Sequence, residues 1–130
     1  MQQRKYLILT ADDNRAIVEL LGELLREEGY ETVGCFSGDE TYTFVKRSPP
    51  DLLILDMQME RRDTGLQILQ LIRSNPTIRQ MPIIMCSADE LTLQSLESQL
   101  HELRCTTVVK PFQIDGLLRQ IELALKPEVA

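Results

Sequence analysis

The stretch Asp51-Leu-Leu-Ile-Leu-Asp56, residues 51–56, sets four consecutive large apolar side chains between two aspartates. An unbroken apolar run of this length is typical of a strand that is buried on both faces of a parallel sheet, whereas a half-exposed strand alternates. Asp56 is then expected at the carboxyl end of a buried strand. In parallel α/β sheets this end is the place where ligands bind.

Three other apolar runs also end at polar side chains. Asp12 and Asp13 follow the run at 6–11, Ser87 closes the run at 82–87, and Lys110 follows the run at 106–109. Because parallel strands end at the same edge of a sheet, we expect these groups to share one rim with Asp56. Crowded carboxylates repel one another, and a cation with oxygen ligands relieves this, as Mg²⁺ does in many phosphate sites. The alternative is that each aspartate only caps the helix that follows it.

Between the apolar runs lie segments whose apolar residues recur with helical spacing. The first helix is predicted to bury Ile17, Leu20, Leu21, Leu24 and Leu25, and the fourth is marked by Leu93, Leu96, Leu100 and Leu103. Strand and helix alternate five times, which predicts an α/β fold of the flavodoxin-like type, a (βα)5 three-layer sandwich with a parallel sheet in the order 2-1-3-4-5. The more polar run at 31–36 is expected to be an edge strand. We expect one domain over residues 1–130, with its core at about 5–126.

Composition narrows the function classes. The net charge of −6 argues against direct nucleic-acid binding by this chain. No apolar run approaches the roughly 20 residues of a membrane span, and the first residues are too polar for the core of a signal peptide. The three cysteines lack metal-site spacing, so that a disulfide framework or a zinc site is not expected. A cytoplasmic protein fits these observations best.

Four motifs, in this order and at these separations, carry a resemblance that covers residues 5 to 126. They are Leu9-Thr-Ala-Asp12-Asp13, Asp51-Leu-Leu-Ile-Leu-Asp56-Met-Gln-Met59, Pro82-Ile-Ile-Met-Cys-Ser87-Ala88 and Val108-Val109-Lys110-Pro111-Phe112. The pattern resembles the receiver domain of two-component response regulators, whose fold is that of the chemotaxis regulators. Each motif alone is modest, but together they are specific.

The resemblance implies a role for each position. Asp56 matches the phosphoacceptor, and Asp13 matches a direct Mg²⁺ ligand, with Asp12 acting mainly through water and the backbone carbonyl of Gln58 as a further ligand. Ser87 and Lys110 match the hydroxyl and the ammonium that contact the phosphoryl group. The side chains of Gln58 and Asp89 match positions that tune dephosphorylation. The bond between Lys110 and Pro111 is expected to be cis.

The same resemblance implies partners. A histidine kinase or a histidine phosphotransfer protein would supply the phosphoryl group, and a downstream protein would bind the face of helix 4, strand 5 and helix 5. That face is also a candidate for contact with a second copy of the chain. No enzymatic activity is expected beyond self-phosphorylation and autophosphatase activity. The chain is either a stand-alone receiver or part of a longer protein.

The sequence departs from the family pattern in three places. Glu60 follows Met59 where a proline is usual, and the glycine at 65 comes about one residue late, so that the loop after Asp56 is longer and more charged. Thr107 is the candidate switch residue, in a position near which the family usually has a tyrosine or phenylalanine. The fourth helix ends without the usual glycine-alanine turn.

Three other function classes are alternatives to a receiver domain. A binding module that keeps the fold but does not depend on phosphorylation is favoured by the missing aromatic residue and the altered loop. A phosphatase of the haloacid-dehalogenase type also uses a strand-end aspartate and Mg²⁺, but it requires Asp-x-Asp, whereas Asp12 and Asp13 are adjacent. A flavodoxin would need a phosphate-binding loop rich in Ser, Thr and Gly after the first strand, which this chain lacks.

Overall fold

The computed structural model of the protein describes residues 4–126. Its strands are β1 (Leu7–Ala11), β2 (Glu31–Cys35), β3 (Leu52–Asp56), β4 (Ile83–Ser87) and β5 (Cys105–Val109). Its helices are α1 (Arg15–Glu27), α2 (Gly38–Arg47), α3 (Thr64–Arg73), α4 (Glu90–Ser95), α5 (Glu97–Glu102) and α6 (Ile114–Leu125). Within residues 4–126, none of these helices combines the length and the apolar character needed to span a bilayer.

All strand pairs are parallel, and the strand order is β2-β1-β3-β4-β5. This confirms the predicted flavodoxin-like sheet, with β2 at one edge. The register places Ala11 beside Leu55, Asp56 beside Cys86, and Ser87 beside Val109. The polar residues that follow these strands therefore lie along one edge of the sheet.

Successive side chains of the central strands serve two separate apolar cores, because a strand points them to opposite faces. Leu52 and Ile54 pack with residues of α1 and α6, whereas Leu53 and Leu55 pack with residues of α2, α3, α4 and α5. Every residue of β3 and β4 is buried, which is why these two strands have unbroken apolar runs. The helices on both faces complete the expected three layers.

The structure corrects the predicted fourth helix, which is divided into α4 and α5 at Leu96. The carbonyl of Thr92 accepts both the backbone N–H of Leu96, at 3.1 Å, and the hydroxyl of Ser95, at 2.8 Å. Such a side-chain competitor for a helical carbonyl bends helices. Leu93 and Leu100 are buried, and Leu96 and Leu103 pack partly buried against the same core.

The prediction for Leu20 in α1 was wrong, because its side chain is 56% exposed. Leu21 and Leu25 bury the face of α1 that meets the sheet, and the apolar stripe is wider than this contact. Leu20 instead lines an apolar groove between α1 and the residues after β5, together with Pro111 and Phe112.

An arginine occupies the left-handed position of the turn before β5, where the sequence lacks a glycine. Arg104 has a φ of 55°, and its guanidinium donates to the carbonyl of Arg79 and to the side chain of Gln80. The partly buried Arg73 ties the same turn to the start of β4, since its guanidinium donates to the backbone carbonyls of Arg79, Met81, Leu103 and Arg104 at 2.7–3.2 Å. This clamp anchors the end of α5 at the sheet edge opposite the polar rim.

Candidate functional site at the carboxyl edge of the sheet

Three carboxylates meet at the carboxyl ends of β1 and β3. Asp12, Asp13 and Asp56 each offer an oxygen, and these oxygens lie within 4.8 Å of one another. Asp12 and Asp56 are buried, at 4% and 7% exposure, and Asp13 is exposed. The structure therefore brings together the carboxylates that the sequence places at separate strand ends, with one side open to solvent.

The alternative that Asp12 and Asp13 cap α1 is wrong. Asn14 is the N-cap of α1, and its side chain accepts the N–H groups of Ala16 and Ile17. Oδ1 of Asp12 accepts the N–H of Asn14, at 2.9 Å, which fixes the local turn and leaves Oδ2 directed at the site. The aspartates are thus free of the helix terminus.

Lys110 joins two of the carboxylates across the rim. Its Nζ lies 2.6 Å from Oδ2 of Asp12 and 3.3 Å from Oδ1 of Asp56. Its backbone N–H donates to the carbonyl of Ser87 at 2.8 Å, which fixes the start of the side chain. The bond between Lys110 and Pro111 is cis, as predicted.

Burial and charge act in opposite directions on this cluster. Burial raises the pKa of Asp56 to about 6, Lys110 opposes this shift, and the neighbouring Asp12 and Asp13 add to it. Burial alone would lower the pKa of Lys110, but its contacts with Asp12 and Asp56 outweigh burial and raise that pKa. The site therefore holds a firmly protonated ammonium against a carboxylate that is costly to ionise.

Ser87 is completely buried at the end of β4, and its hydroxyl donates to Oε1 of Gln58 at 3.3 Å. The same hydroxyl accepts the N–H of Asp89 at 2.9 Å. Ser87 therefore links the loop after β3 to the loop that leads into α4. Any group that takes over its hydroxyl proton must displace the side chain of Gln58.

In the part of the chain that the structure describes, neither Asp89 nor Thr107 makes a hydrogen bond or an ion pair with the three carboxylates or with the ammonium of Lys110. Asp89 is the N-cap of α4, and its carboxylate accepts the N–H and the hydroxyl of Thr92 at 3.0 and 2.6 Å. The hydroxyl of Thr92 holds the pKa of Asp89 below its ordinary value. Thr107 is exposed and pairs with Met85, and within residues 4–126 no hydrogen bond joins it to Ser87. Their modulating and switch roles stay predictions.

The loop after Asp56 passes very close to that residue when it returns into α3. A Cβ at position 65 would lie 2.4 Å from the backbone oxygen of Asp56 and 2.6 Å from Cα of Met57, so only glycine fits there. The backbone N–H of Gly65 donates to the carbonyl of Met57 at 2.8 Å. The late glycine of the sequence is thus the residue that lets the longer loop close beside Asp56.

Sequence reasoning missed one contact of this loop. Both carboxylate oxygens of Glu60 lie 3.0 Å from the backbone nitrogen of Gly38, the first residue of α2. The two residues are 22 positions apart, and nothing in the local pattern connects them. An acidic side chain is favourable near the N-terminus of a helix. That Glu60 lies near the N-terminus of α2 can be seen only once the fold is known.

The arrangement is suited to phosphoryl chemistry. A buried carboxylate can act as the nucleophile, a fixed ammonium can pair with phosphoryl oxygens, and the hydroxyl of Ser87 can donate to another. The three carboxylate oxygens are the ligand type that Mg²⁺ prefers, and their mutual repulsion is what a cation removes. The residues present therefore fit a divalent cation.

A family model of the response regulator receiver domain matches residues 8–122, nearly the whole chain. The chain belongs to the response regulator receiver domain family. The strand order and the order of the four motifs agree with that membership, so the predicted resemblance is confirmed. The membership also removes the dehalogenase-type phosphatase and the flavodoxin from consideration.

Individual relatives are transcriptional regulators. The receiver domain is 37% identical over 120 residues to the transcriptional regulatory protein PdtaR of Mycobacterium tuberculosis, covering 91% of the chain and 56% of that protein. It is 30% identical over 129 residues to the DNA-binding response regulator MtrA of Mycolicibacterium smegmatis, covering 97% of the chain and 52% of that protein. The chain thus spans about half the length of these curated relatives.

Solved structures of receiver domains have the same architecture. The receiver domain of NtrX from Brucella abortus superposes with a TM-score of 0.80 at 27% identity, covering 93% of this chain and 99% of that one. The receiver domain of the Francisella response regulator 1452 gives a TM-score of 0.81 at 26% identity, covering 94% and 98%. Each of these likenesses covers more than nine-tenths of both chains.

Proposed function

We propose that this receiver domain is a phosphoacceptor switch in which Asp56 takes a phosphoryl group from a phosphohistidine. The observation that carries the proposal is the position of Lys110, whose ammonium reaches both Asp12 and Asp56 within a cluster of three carboxylates. The proposal treats residues 1–130 as a single receiver-like domain, with its core at about 5–126.

The transfer balances with the groups at hand. A carboxylate oxygen of Asp56 attacks the phosphorus, the P–N bond to the donor imidazole breaks, and its electron pair goes to that nitrogen. With a pKa of about 6, Asp56 is mostly ionised at neutral pH and is therefore competent as a nucleophile. The product is an acyl phosphate on Asp56.

Lys110 and Ser87 hold the phosphoryl oxygens in this proposal. The ammonium leaves Asp56 for a phosphoryl oxygen, while its 2.6 Å contact with Asp12 keeps it in place. The hydroxyl of Ser87 exchanges Gln58 for the phosphoryl group. Asp12, Asp13, Asp56 and the carbonyl of Gln58 would hold Mg²⁺, which supplies neutralisation of the charge on the phosphoryl oxygens when it is bound.

The donor is a histidine kinase or a histidine phosphotransfer protein. The groove formed by α1 and the residues after β5 offers an apolar contact, including Leu20 and Phe112, directly beside Lys110. A helical partner that fills this groove would bring its histidine within reach of the rim. Autophosphatase activity is the only further chemistry proposed.

The output runs through the loop after β4. The phosphoryl group carries a charge of about −1.5 to −2 where the carboxylate of Asp56 carried about −1, and the reoriented Ser87 then shifts the N–H of Asp89, the N-cap of α4. The surface of α4, α5, β5 and α6 is proposed to bind the downstream protein or a second copy of the chain. Leu91, which is 77% exposed, is an apolar contact on this surface.

Direct nucleic-acid binding and membrane association are not part of the proposal, and a cytoplasmic location is proposed from the family.

Phosphotransfer from a small acyl phosphate tests the proposal. The protein is incubated with acetyl phosphate and Mg²⁺, and its intact mass should increase by one phosphoryl group. Asp56→Asn should take up none, whereas the matched variant Asp63→Asn should react like the wild type, because Asp63 is exposed and makes no side-chain cap bond. Absence of uptake by the wild type would favour the phosphorylation-independent binding module instead.

A further inference from the structure

The carboxylate of Glu60 contacts the N-terminus of α2. Both of its oxygens lie 3.0 Å from the backbone nitrogen of Gly38, and this pair of contacts is called the Glu60 tether below. The N-terminus of a helix has unpaired N–H groups and a partial positive charge, so that a carboxylate is stabilised there. The tether connects the loop after β3 to a helix that packs on the same face of the sheet.

Apart from the tether and the 3.3 Å contact between Gln58 and Ser87, the hydrogen bonds of the loop that carries Glu60, residues 58–63, stay within the loop and the first residues of α3. Gly65 donates to the carbonyl of Met57 at 2.8 Å, and Met59 and Thr64 donate to the carbonyl of Arg61 at 3.2 and 3.4 Å. Within residues 4–126, no hydrogen bond uses the carbonyl of Gln58. This is the backbone oxygen that stands next to the carboxylate cluster in the chain and is available to a cation.

We propose that Glu60 is a positioning residue for the cation site, which it serves by fixing the loop so that the carbonyl of Gln58 is presented to the ion. The proposal rests on the proposed function, since it assumes that the carboxylate cluster binds Mg²⁺. The extra residue of this loop adds conformational freedom that binding would otherwise have to remove. The tether removes that freedom before the ion arrives.

The tether also accounts for the residue type at position 60. The family pattern usually has a proline here, which restricts the backbone directly. Glu60 instead restricts the loop by a charge-assisted contact between its carboxylate and the N-terminus of α2. An apolar or basic residue at position 60 could not make that contact.

Magnesium affinity, measured by isothermal titration calorimetry in 0.15 M salt, tests the proposal. Glu60→Ala should bind Mg²⁺ about three- to tenfold more weakly than the wild type. Glu40→Ala is the matched control, because Glu40 also places a carboxylate at the N-terminal end of α2 but accepts the N–H of Phe36 instead of tethering the loop. Its affinity should stay within about twofold of the wild type, since screening weakens the effect of a distant exposed charge.

Glu60→Gln separates the tether from the charge of Glu60, because its amide oxygen still accepts the N–H of Gly38. This variant should keep most of the wild-type affinity. The amide proton of Gly38, followed by NMR, should exchange slowly in the wild type and in Glu60→Gln, and faster in Glu60→Ala. If Glu60 only stabilised the loop and did not position the carbonyl of Gln58, Glu60→Ala would speed the amide exchange of Gly38 but leave the Mg²⁺ affinity unaltered.

Two results would overturn the proposal alone. One is equal Mg²⁺ affinity of Glu60→Ala and Glu40→Ala, and the other is a Glu60→Gln variant as weak as Glu60→Ala, which would assign the effect to charge. Asp13→Asn serves as the reference for the site as a whole. If the wild type binds no Mg²⁺, or if Asp13→Asn binds it equally well, the proposed cation site fails and the role of Glu60 fails with it.

Discussion

Replacing Asp56 by asparagine should stabilise the metal-free protein at neutral pH. Burial raises the pKa of this carboxyl from 3.8 to about 6, with Asp12 and Asp13 adding to the shift against Lys110. A carboxyl that ionises less readily in the folded than in the unfolded protein costs stability once it is ionised. A shift of about two pKa units corresponds to about 3 kcal/mol. Lys110 keeps Asp12 at 2.6 Å in the variant, so that no buried ammonium is left unpaired.

The pH dependence gives the prediction its sign. Below about pH 4 the carboxyl is protonated in both states, and wild type and Asp56→Asn should have similar free energies of unfolding. Between about pH 4 and pH 6 the unfolded chain has lost the proton of Asp56, whereas the folded wild type still binds it. The free energy of unfolding of the wild type therefore falls as the pH rises through this range. Above about pH 6 the variant should be more stable by up to about 3 kcal/mol.

Urea unfolding in EDTA, followed by circular dichroism from about pH 4 to pH 8, measures this difference. Asp63→Asn is the control for replacing an exposed carboxylate, and its curve should run parallel to that of the wild type. Addition of Mg²⁺ should stabilise the wild type more than Asp56→Asn, because the variant lacks one of the proposed ligands. A free-energy difference between the wild type and Asp56→Asn that does not change with pH would refute the reasoning, as would a variant less stable than the wild type at pH 8.

Three further predictions concern residues around the rim and at the opposite edge. Gly65→Ala should lower the free energy of unfolding by several kcal/mol in a urea titration, because the Cβ of the alanine would overlap the backbone of Asp56 and Met57. The control Gly116→Ala in α6 places its Cβ in open space, and its free energy of unfolding should rise by about 1 kcal/mol. Arg73→Leu should lose about 2–4 kcal/mol in the same titration, since Arg73 donates to four carbonyls and, of these, that of Arg79 retains a side-chain donor in Arg104. A loss below about 1 kcal/mol would show that water replaces the guanidinium. Gln58→Leu should change stability by less than about 1 kcal/mol, because its 3.3 Å contact is long, but should bind the phosphoryl mimic beryllofluoride several-fold more tightly, since Ser87 no longer has to leave a competing acceptor. Unchanged beryllofluoride affinity would contradict that competition.

The strands and the candidate site could largely be predicted from the sequence because each depends on local order. Asp56 and Ser87 stand at the ends of apolar runs, and parallel strands bring such ends together whatever the details of the loops. The outer part of the helical layer was less predictable. Leu20 belongs to an apolar stripe that is wider than its contact with the sheet, and the break at Leu96 depends on the competition between Ser95 and the helix for one carbonyl.

Local order along the chain specifies the parallel α/β fold, the sheet order and the polar rim, since periodicity and the handedness of crossovers act over short distances. Contacts between distant segments depend on how the loops and helix ends meet after folding. Glu60 meets a helix end 22 residues earlier, and Arg73 gathers carbonyls from residues up to 31 positions away. The pKa of Asp56 likewise arises only when burial and the charges of two other strand ends act on it together. These contacts follow from distances in space, which residue patterns along the chain do not encode.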